Sequence, residues 1–137
     1  MIRKLFQDEI LSFINYIRYF KKIVLYKNTE KLQQSDFGIQ HPSGANKEVY
    51  NRKESDVEIE NYLKNSKYLL IIGMPKAGKT RSAYQAMKLV LPDFYVIKPD
   101  AKKLPDFIFP RFKKNHLIFF DDLNKFANVN FDFDKFL

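Results

Sequence analysis

An unbroken apolar run that ends in a glycine-rich turn constrains this chain more than any other feature. Leu69, Leu70, Ile71 and Ile72 precede Gly73, and Gly73 opens the spacing G-x-x-x-x-G-K-T completed by Gly78, Lys79 and Thr80. A short apolar run bounded by a turn signal reads as a buried strand. Arg81, Ser82, Ala83, Tyr84, Gln85, Ala86 and Met87 then read as a helix. Strand, glycine turn and helix in this order make a cradle for phosphate. Glycines let the backbone curl until successive N–H groups face one anion, the lysine reaches the outer phosphates, and the threonine hydroxyl meets Mg²⁺. The positive end of the following helix adds to the attraction.

At 137 residues there is room for one ordinary domain, or a small one with an appendage. A hydrophobic content of 45% supplies a core and excludes a chain disordered by composition. The absence of cysteine excludes disulfides and thiolate metal sites, and it fits a reducing, cytoplasmic setting. His41 and His116 are too far apart in sequence for a helical metal pair and read as structural. The net charge of +8 is spread along the chain. Such a balance suits phosphate polymers or anionic membranes, but a nucleotide site also favours positive potential. Asp8, Glu9, Arg18, Lys21 and Lys22 interrupt the first apolar stretch. No run approaches the roughly 18 apolar residues of a membrane span, so no transmembrane segment is expected.

Residues 2–26 carry Ile2, Phe6, Ile10, Phe13, Ile17, Phe20 and Val24 at helical steps, with polar residues largely opposite. One amphipathic helix is expected there, spanning domain residues 1–27 and covered by the rest of the chain, by a protein partner or by self-association. Its basic end also suits a membrane surface. Residues 28–47 lose periodicity and read as a linker. The third region, 48–137, opens with Val49, Tyr50, Asn51 and Arg52, and Ser55 with Glu58 suggests a capping box before a helix. After the glycine turn, a helix is expected over 79–91, ended by Pro92, then a strand at 94–97. Pro105 and Pro110 limit residues 101–115 to short irregular structure.

The second motif is Leu117, Ile118, Phe119 and Phe120 followed by Asp121 and Asp122. Four apolar residues predict a buried strand, with two carboxylates where it leaves the sheet. Parallel α/β sheets bind ligands at that end of their strands. Asp121 there is suited to hold Mg²⁺ through water, and Asp122 to orient or deprotonate an attacking water. A helix cap beginning at Asp122 is the plainer alternative.

With both motifs placed, residues 49–127 resemble the ATPase module of the STAND class, the NB-ARC-like branch of the AAA+-related P-loop NTPases. The resemblance rests on VYNR at 49–52, GMPKAGKTR at 73–81 (Walker A) and LIFFDDL at 117–123 (Walker B). Asn51 stands where that family usually has glycine in its adenine-side element. The resemblance implies a P-loop NTPase fold, a three-layer α/β/α arrangement with an incomplete parallel sheet, preceded by the amphipathic helix. It implies ATP and Mg²⁺ as ligands. Gly73, Met74, Pro75, Lys76, Ala77, Gly78, Lys79, Thr80, Arg81 and Arg52 would bind nucleotide. Thr80 and Asp121 would hold the metal, and Lys79 and Asp122 would be catalytic.

In this family another strand is expected between the two motif strands, after Walker B in sequence, with a sensor residue at its end. The residues to Leu137 do not supply it, so the module reads as truncated. The leading expectation is an ATP-binding, at most slowly hydrolysing, module of a signalling or defence switch. A replication initiator or helicase-loader type of AAA+ ATPase is the next, with Lys98, Lys102, Lys103, Arg111, Lys113 and Lys114 on nucleic acid. A non-catalytic interaction module is the third.

Overall fold

The computed structural model describes residues 23–39, 50–103 and 115–127, together with Gln7, Ile10, Leu11 and Ile14. Those four are helical, and Ile10, Leu11 and Ile14 are exposed. The rest of residues 1–22, His41, Val49, residues 104–114 and the segment after Ala127 lie outside the described residues.

The protein is a mixed α/β chain with a three-stranded sheet in the order β1-β2-β3, where β1 is Ile23–Asn28, β2 Tyr95–Pro99 and β3 His116–Ile118. With it stand the helices α1 (Glu54–Asn65), α2 (Lys79–Val90) and the short α3 (Asn124–Ala127). Two compact units divide the chain: Lys27–Phe94, and Met1–Tyr26 with Tyr95–Leu137.

In the unit Lys27–Phe94, α2 forms where the sequence expects it. Helix α1 packs against it, and Ser82, Ala83, Ala86 and Met87 of α2 are buried. The segment read as a linker is part of this core. Thr29, Leu32 and Phe37 are buried on two 3-10 turns, Thr29–Lys31 and Gln34–Phe37. Helix C-termini leave carbonyls without intrahelical donors, and this segment supplies donors. The Thr29 hydroxyl lies 2.6 Å from both the Leu91 and Pro92 carbonyls, and its N–H donates to Phe94 at 2.9 Å. Lys27 closes the second turn through both oxygens of Asp36, at 3.0 and 2.8 Å. Burial pushes the Asp36 carboxyl up, but the Lys27 ammonium and the Gln33 N–H more than offset it and hold the group below its ordinary range.

In the other unit, β2 and β3 run parallel, pairing Tyr95 with His116, Val96 with Leu117 and Ile97 with Ile118. Val96 and Ile97 are wholly buried. Phe126 of α3 meets Phe120 edge to face, with centroids 5.0 Å apart. His116 stacks with Tyr26 and Tyr95, and its Nε2 lies 3.2 Å from the Tyr26 hydroxyl, a structural setting.

Four expectations are revised. Residues 23–26 belong to β1 and not to the first helix, because Ile23, Val24, Leu25 and Tyr26 are a β-branched and aromatic run that suits a ladder as well as a helical stripe. The linker contributes core. Helix α1 starts at Glu54 and not after Ser55, because the buried Asp56 carboxylate accepts the Lys53 N–H at 2.7 Å and sets the start. Residues 69–72 carry no strand assignment, with Leu70 64% and Ile72 84% exposed. An apolar run becomes a strand only where a ladder partner exists, and among the described residues the sheet has no member from 68–72.

Candidate functional site

The glycine turn holds two left-handed residues. Lys76 has φ 61° and Gly78 φ 83°, both left-handed. Left-handed residues alternating with ordinary ones turn successive N–H groups toward one side, the nest geometry of anion-binding loops. For lysine this conformation is uncommon, and residues held there concentrate at functional sites. The Ala77 N–H donates to Met74 at 3.2 Å and tightens the turn, and α2 then starts at Lys79, with Ser82 N–H bonded to the Gly78 carbonyl at 2.9 Å.

Lys79 lies back over the loop. Its ammonium donates to the Gly73 carbonyl at 2.8 Å and the Met74 carbonyl at 2.9 Å. A Cβ at Gly73 would stand 3.4 Å from the Lys79 Cδ, an ordinary contact with the lysine stem. Gly73 and Lys79 are thus packed on each other.

A pocket of about 480 Å³ opens on this loop, lined by residues 76–81 and, from the second 3-10 turn, by Gly38 and Ile39. That volume lies within the ordinary range for small-molecule sites. Lys76, Lys79 and Arg81 give one wall its charge, whereas Gly38 and Ile39 are neutral. Thr80 reaches the pocket from the first turn of α2. Gly38 and Ile39 were not legible as site residues; the one signal was the glycine at 38, which takes a left-handed φ of 65°.

Beside the loop, Tyr50 and Asp56 tie the segment before α1 to α2. The Tyr50 hydroxyl donates to Asp56 at 2.8 Å and lies 3.0 Å from the Ser82 hydroxyl, while the Arg81 guanidinium sits 5.2 Å from the Tyr50 ring centre. Burial raises the Asp56 carboxyl, but the Lys53 N–H and the Ser82 and Tyr50 hydroxyls outweigh it and hold the group below its ordinary range. Burial likewise pushes the Tyr50 phenol up. Arg52, expected on the adenine side, pairs with Glu60 of α1 and is not among the residues lining the pocket. Met74 and Pro75 shape the turn without lining that pocket either.

The two aspartates lie in the other unit. Asp121 accepts the Lys98 ammonium at 3.1 Å. Asp122 has φ 59°, its carbonyl accepts the Lys125 N–H at 3.0 Å, and its carboxylate pairs with Lys125 at 3.3 Å. Asp122 thus meets the start of α3 through its backbone carbonyl and this ion pair. Lys103 pairs with Asp100 at 3.7 Å. Two of the lysines considered for nucleic acid are therefore turned to carboxylates, and Arg111, Lys113 and Lys114 lie outside the described residues.

Among the described residues no group of three or more His, Cys, Asp or Glu gathers as for a metal ion. A nucleotide-bound Mg²⁺ does not need one, since phosphates and water supply most of its ligands. No helix among the described residues is long and apolar enough to cross a membrane. No family model, no curated protein and no solved structure matches the chain.

Proposed function

We propose that the chain binds a nucleoside triphosphate, ATP, with Mg²⁺, through a P-loop of the STAND type. The observation that carries the reading is the loop itself: left-handed Lys76 and Gly78, with Lys79, which lines the pocket, folded onto the Gly73 and Met74 carbonyls. Those carbonyls are neutral partners. A phosphate oxygen offers the ammonium a charge-assisted bond, roughly twice as strong as a neutral one, so nucleotide draws Lys79 off the backbone and onto itself. The loop N–H groups and the N-terminal end of α2 complete the anion's surroundings.

Thr80 is the proposed magnesium ligand on the loop, and Asp121 the proposed carboxylate. Asp121 accepts the Lys98 ammonium, which a metal there would have to displace. Mg²⁺, when bound, screens the phosphates and draws charge from the outer one. Asp122 is the proposed acceptor of the water's proton if hydrolysis occurs.

Calorimetric titration with Mg-ATP tests the reading. Binding by the wild type and loss of binding in Lys79→Ala are expected; equal affinity in the two proteins, or no binding by the wild type, overturns it.

A second reading, binding without turnover, is favoured by the engagement of both motif carboxylates with lysines. Phosphate release under saturating Mg-ATP separates the two: hydrolysis abolished by Asp122→Asn supports the ATPase, and none in the wild type supports the binding module. The exposed Ile10, Leu11 and Ile14 further support a protein partner or self-association at the first helix, which light scattering of the wild type against Ile10→Asp tests.

A further inference from the structure

We propose that Lys53 is a second phosphate-binding lysine, reaching the loop from the start of α1 and linking nucleotide occupancy to that helix. The inference rests on the nucleotide reading above. The Lys53 ammonium donates to the Ala77 carbonyl at 3.3 Å, and a Cβ on Gly78 would stand 3.7 Å from it. The charge therefore lies against two of the residues that line the pocket.

Its backbone is held while its side chain is exposed. The Lys53 N–H donates to the Asp56 carboxylate at 2.7 Å, and the Lys53 carbonyl accepts the Asp56 N–H at 3.1 Å. Asp56 is 2% exposed and is bonded to Tyr50, which lies against Ser82, two residues beyond Thr80. The base of the lysine is thus fixed to the helix that carries the loop, and only the flexible stem remains to move. Its present partner is a neutral carbonyl at the long end of the hydrogen-bond range. A polyphosphate in the pocket offers a stronger partner within a short swing.

Charge balance agrees. A triphosphate carries about four negative charges at neutral pH, and Lys53 joins Lys76, Lys79 and Arg81 around the loop. Binding then moves the Lys53 ammonium from the Ala77 carbonyl to a phosphate oxygen and adds a ligand-dependent tie between α1 and the loop. Arg52, its neighbour, is turned to Glu60, so Lys53 is the cation of this segment at the loop.

The test is titration of wild type, Lys53→Gln and Lys53→Arg with Mg-ATP and with inorganic tripolyphosphate, at low and high KCl. Lys53→Gln is expected to weaken both ligands by the same factor, about tenfold, and to flatten the salt dependence, because an exposed charge is screened by salt. Lys53→Arg should recover most of the affinity. Wild-type affinity and salt dependence in Lys53→Gln overturn the proposal while leaving the phosphate-loop reading intact. A loss for Mg-ATP alone, with tripolyphosphate unaffected, also overturns it, since the contact would then be to the nucleoside. Failure of the wild type to bind either ligand overturns the loop reading itself. Thermal melting of Lys53→Gln without ligand separates a merely structural bond to Ala77, which would lower Tm and leave both affinities unchanged.

Discussion

The two motif regions differ in what their charged groups hold. In the loop, Lys79 and Lys53 donate to uncharged backbone carbonyls. At the end of β3, Asp121 and Asp122 accept lysine ammonium groups. A cation on a neutral carbonyl gains by exchanging it for phosphate, whereas a carboxylate already on a cation must give one up to take another. On the proposed reading the loop is prepared for phosphate, and the acidic pair has a competitor in place. Lys79→Ala removes the prepared side and carries the largest expected effect. A more than hundredfold loss in Mg-ATP affinity is expected, about 2.7 kcal/mol, read by calorimetry. A loss of threefold or less would mean that the loop N–H groups do the work without the lysine.

Asp56 sharpens the comparison, because it is a carboxylate that supports the loop side. Its partners are the Lys53 N–H and two hydroxyls in a buried setting, so Asp56→Asn sets an amide N–H₂ among donors and should cost about 1–3 kcal/mol of stability at neutral pH. Denaturant unfolding measures this. The pH dependence follows from the sign of the shift. The Asp56 carboxyl is held below its ordinary value, so its contribution is complete above about pH 3.9, the ordinary aspartate value, and disappears as pH falls through the lower folded value. The wild type should lose stability more steeply than Asp56→Asn below about pH 4. Parallel pH profiles would mean that Asp56 is not the group responsible.

Asp56 also marks how far the sequence could be read. Local signals carried well: the helix closed by Pro92 and the short strands near 94–97 and 117–120 follow from patterns a few residues long. Long-range partners did not. Nothing beside Asp56 announces Ser82, and nothing near Thr29 announces the carbonyls of Leu91 and Pro92, since both depend on where α2 ends in space. The segment 28–39 looks like a linker because its buried residues, Thr29, Leu32 and Phe37, have no helical or strand period. For the same reason Gly38 and Ile39 could not be named as pocket residues. The run at 69–72 shows the opposite error, since apolar composition there promised a strand but cannot supply its neighbour.

Lys98 offers a direct way to break the contrast. If its ammonium competes for Asp121, Lys98→Met should lower the Mg²⁺ concentration needed for half-maximal ATP binding by about threefold to tenfold, and Asp121→Asn should raise it by a similar factor. Competition of this size corresponds to about 0.7–1.4 kcal/mol, at or somewhat above what partly exposed ion pairs contribute. Titrating Mg²⁺ at fixed ATP measures both. A Lys98→Met protein with unchanged Mg²⁺ dependence would mean that the pair is structural and that Asp121 is not the metal's carboxylate.

The smallest effect is expected at Asp122, where backbone and side chain make separate demands. Its left-handed φ of 59° suits glycine better than aspartate, and its exposed pair with Lys125 stabilises little. Asp122→Gly should therefore change stability by less than about 1 kcal/mol, toward stabilisation. Asp122→Asn, which keeps a side chain tolerated in this conformation, should leave Mg-ATP affinity within about twofold of wild type while removing any turnover. The two variants together separate shape from chemistry. Lost turnover in both with intact folding identifies the carboxylate as the working group. Retained turnover in Asp122→Gly would reduce Asp122 to a turn residue ahead of α3, and would leave the acidic region a structural corner.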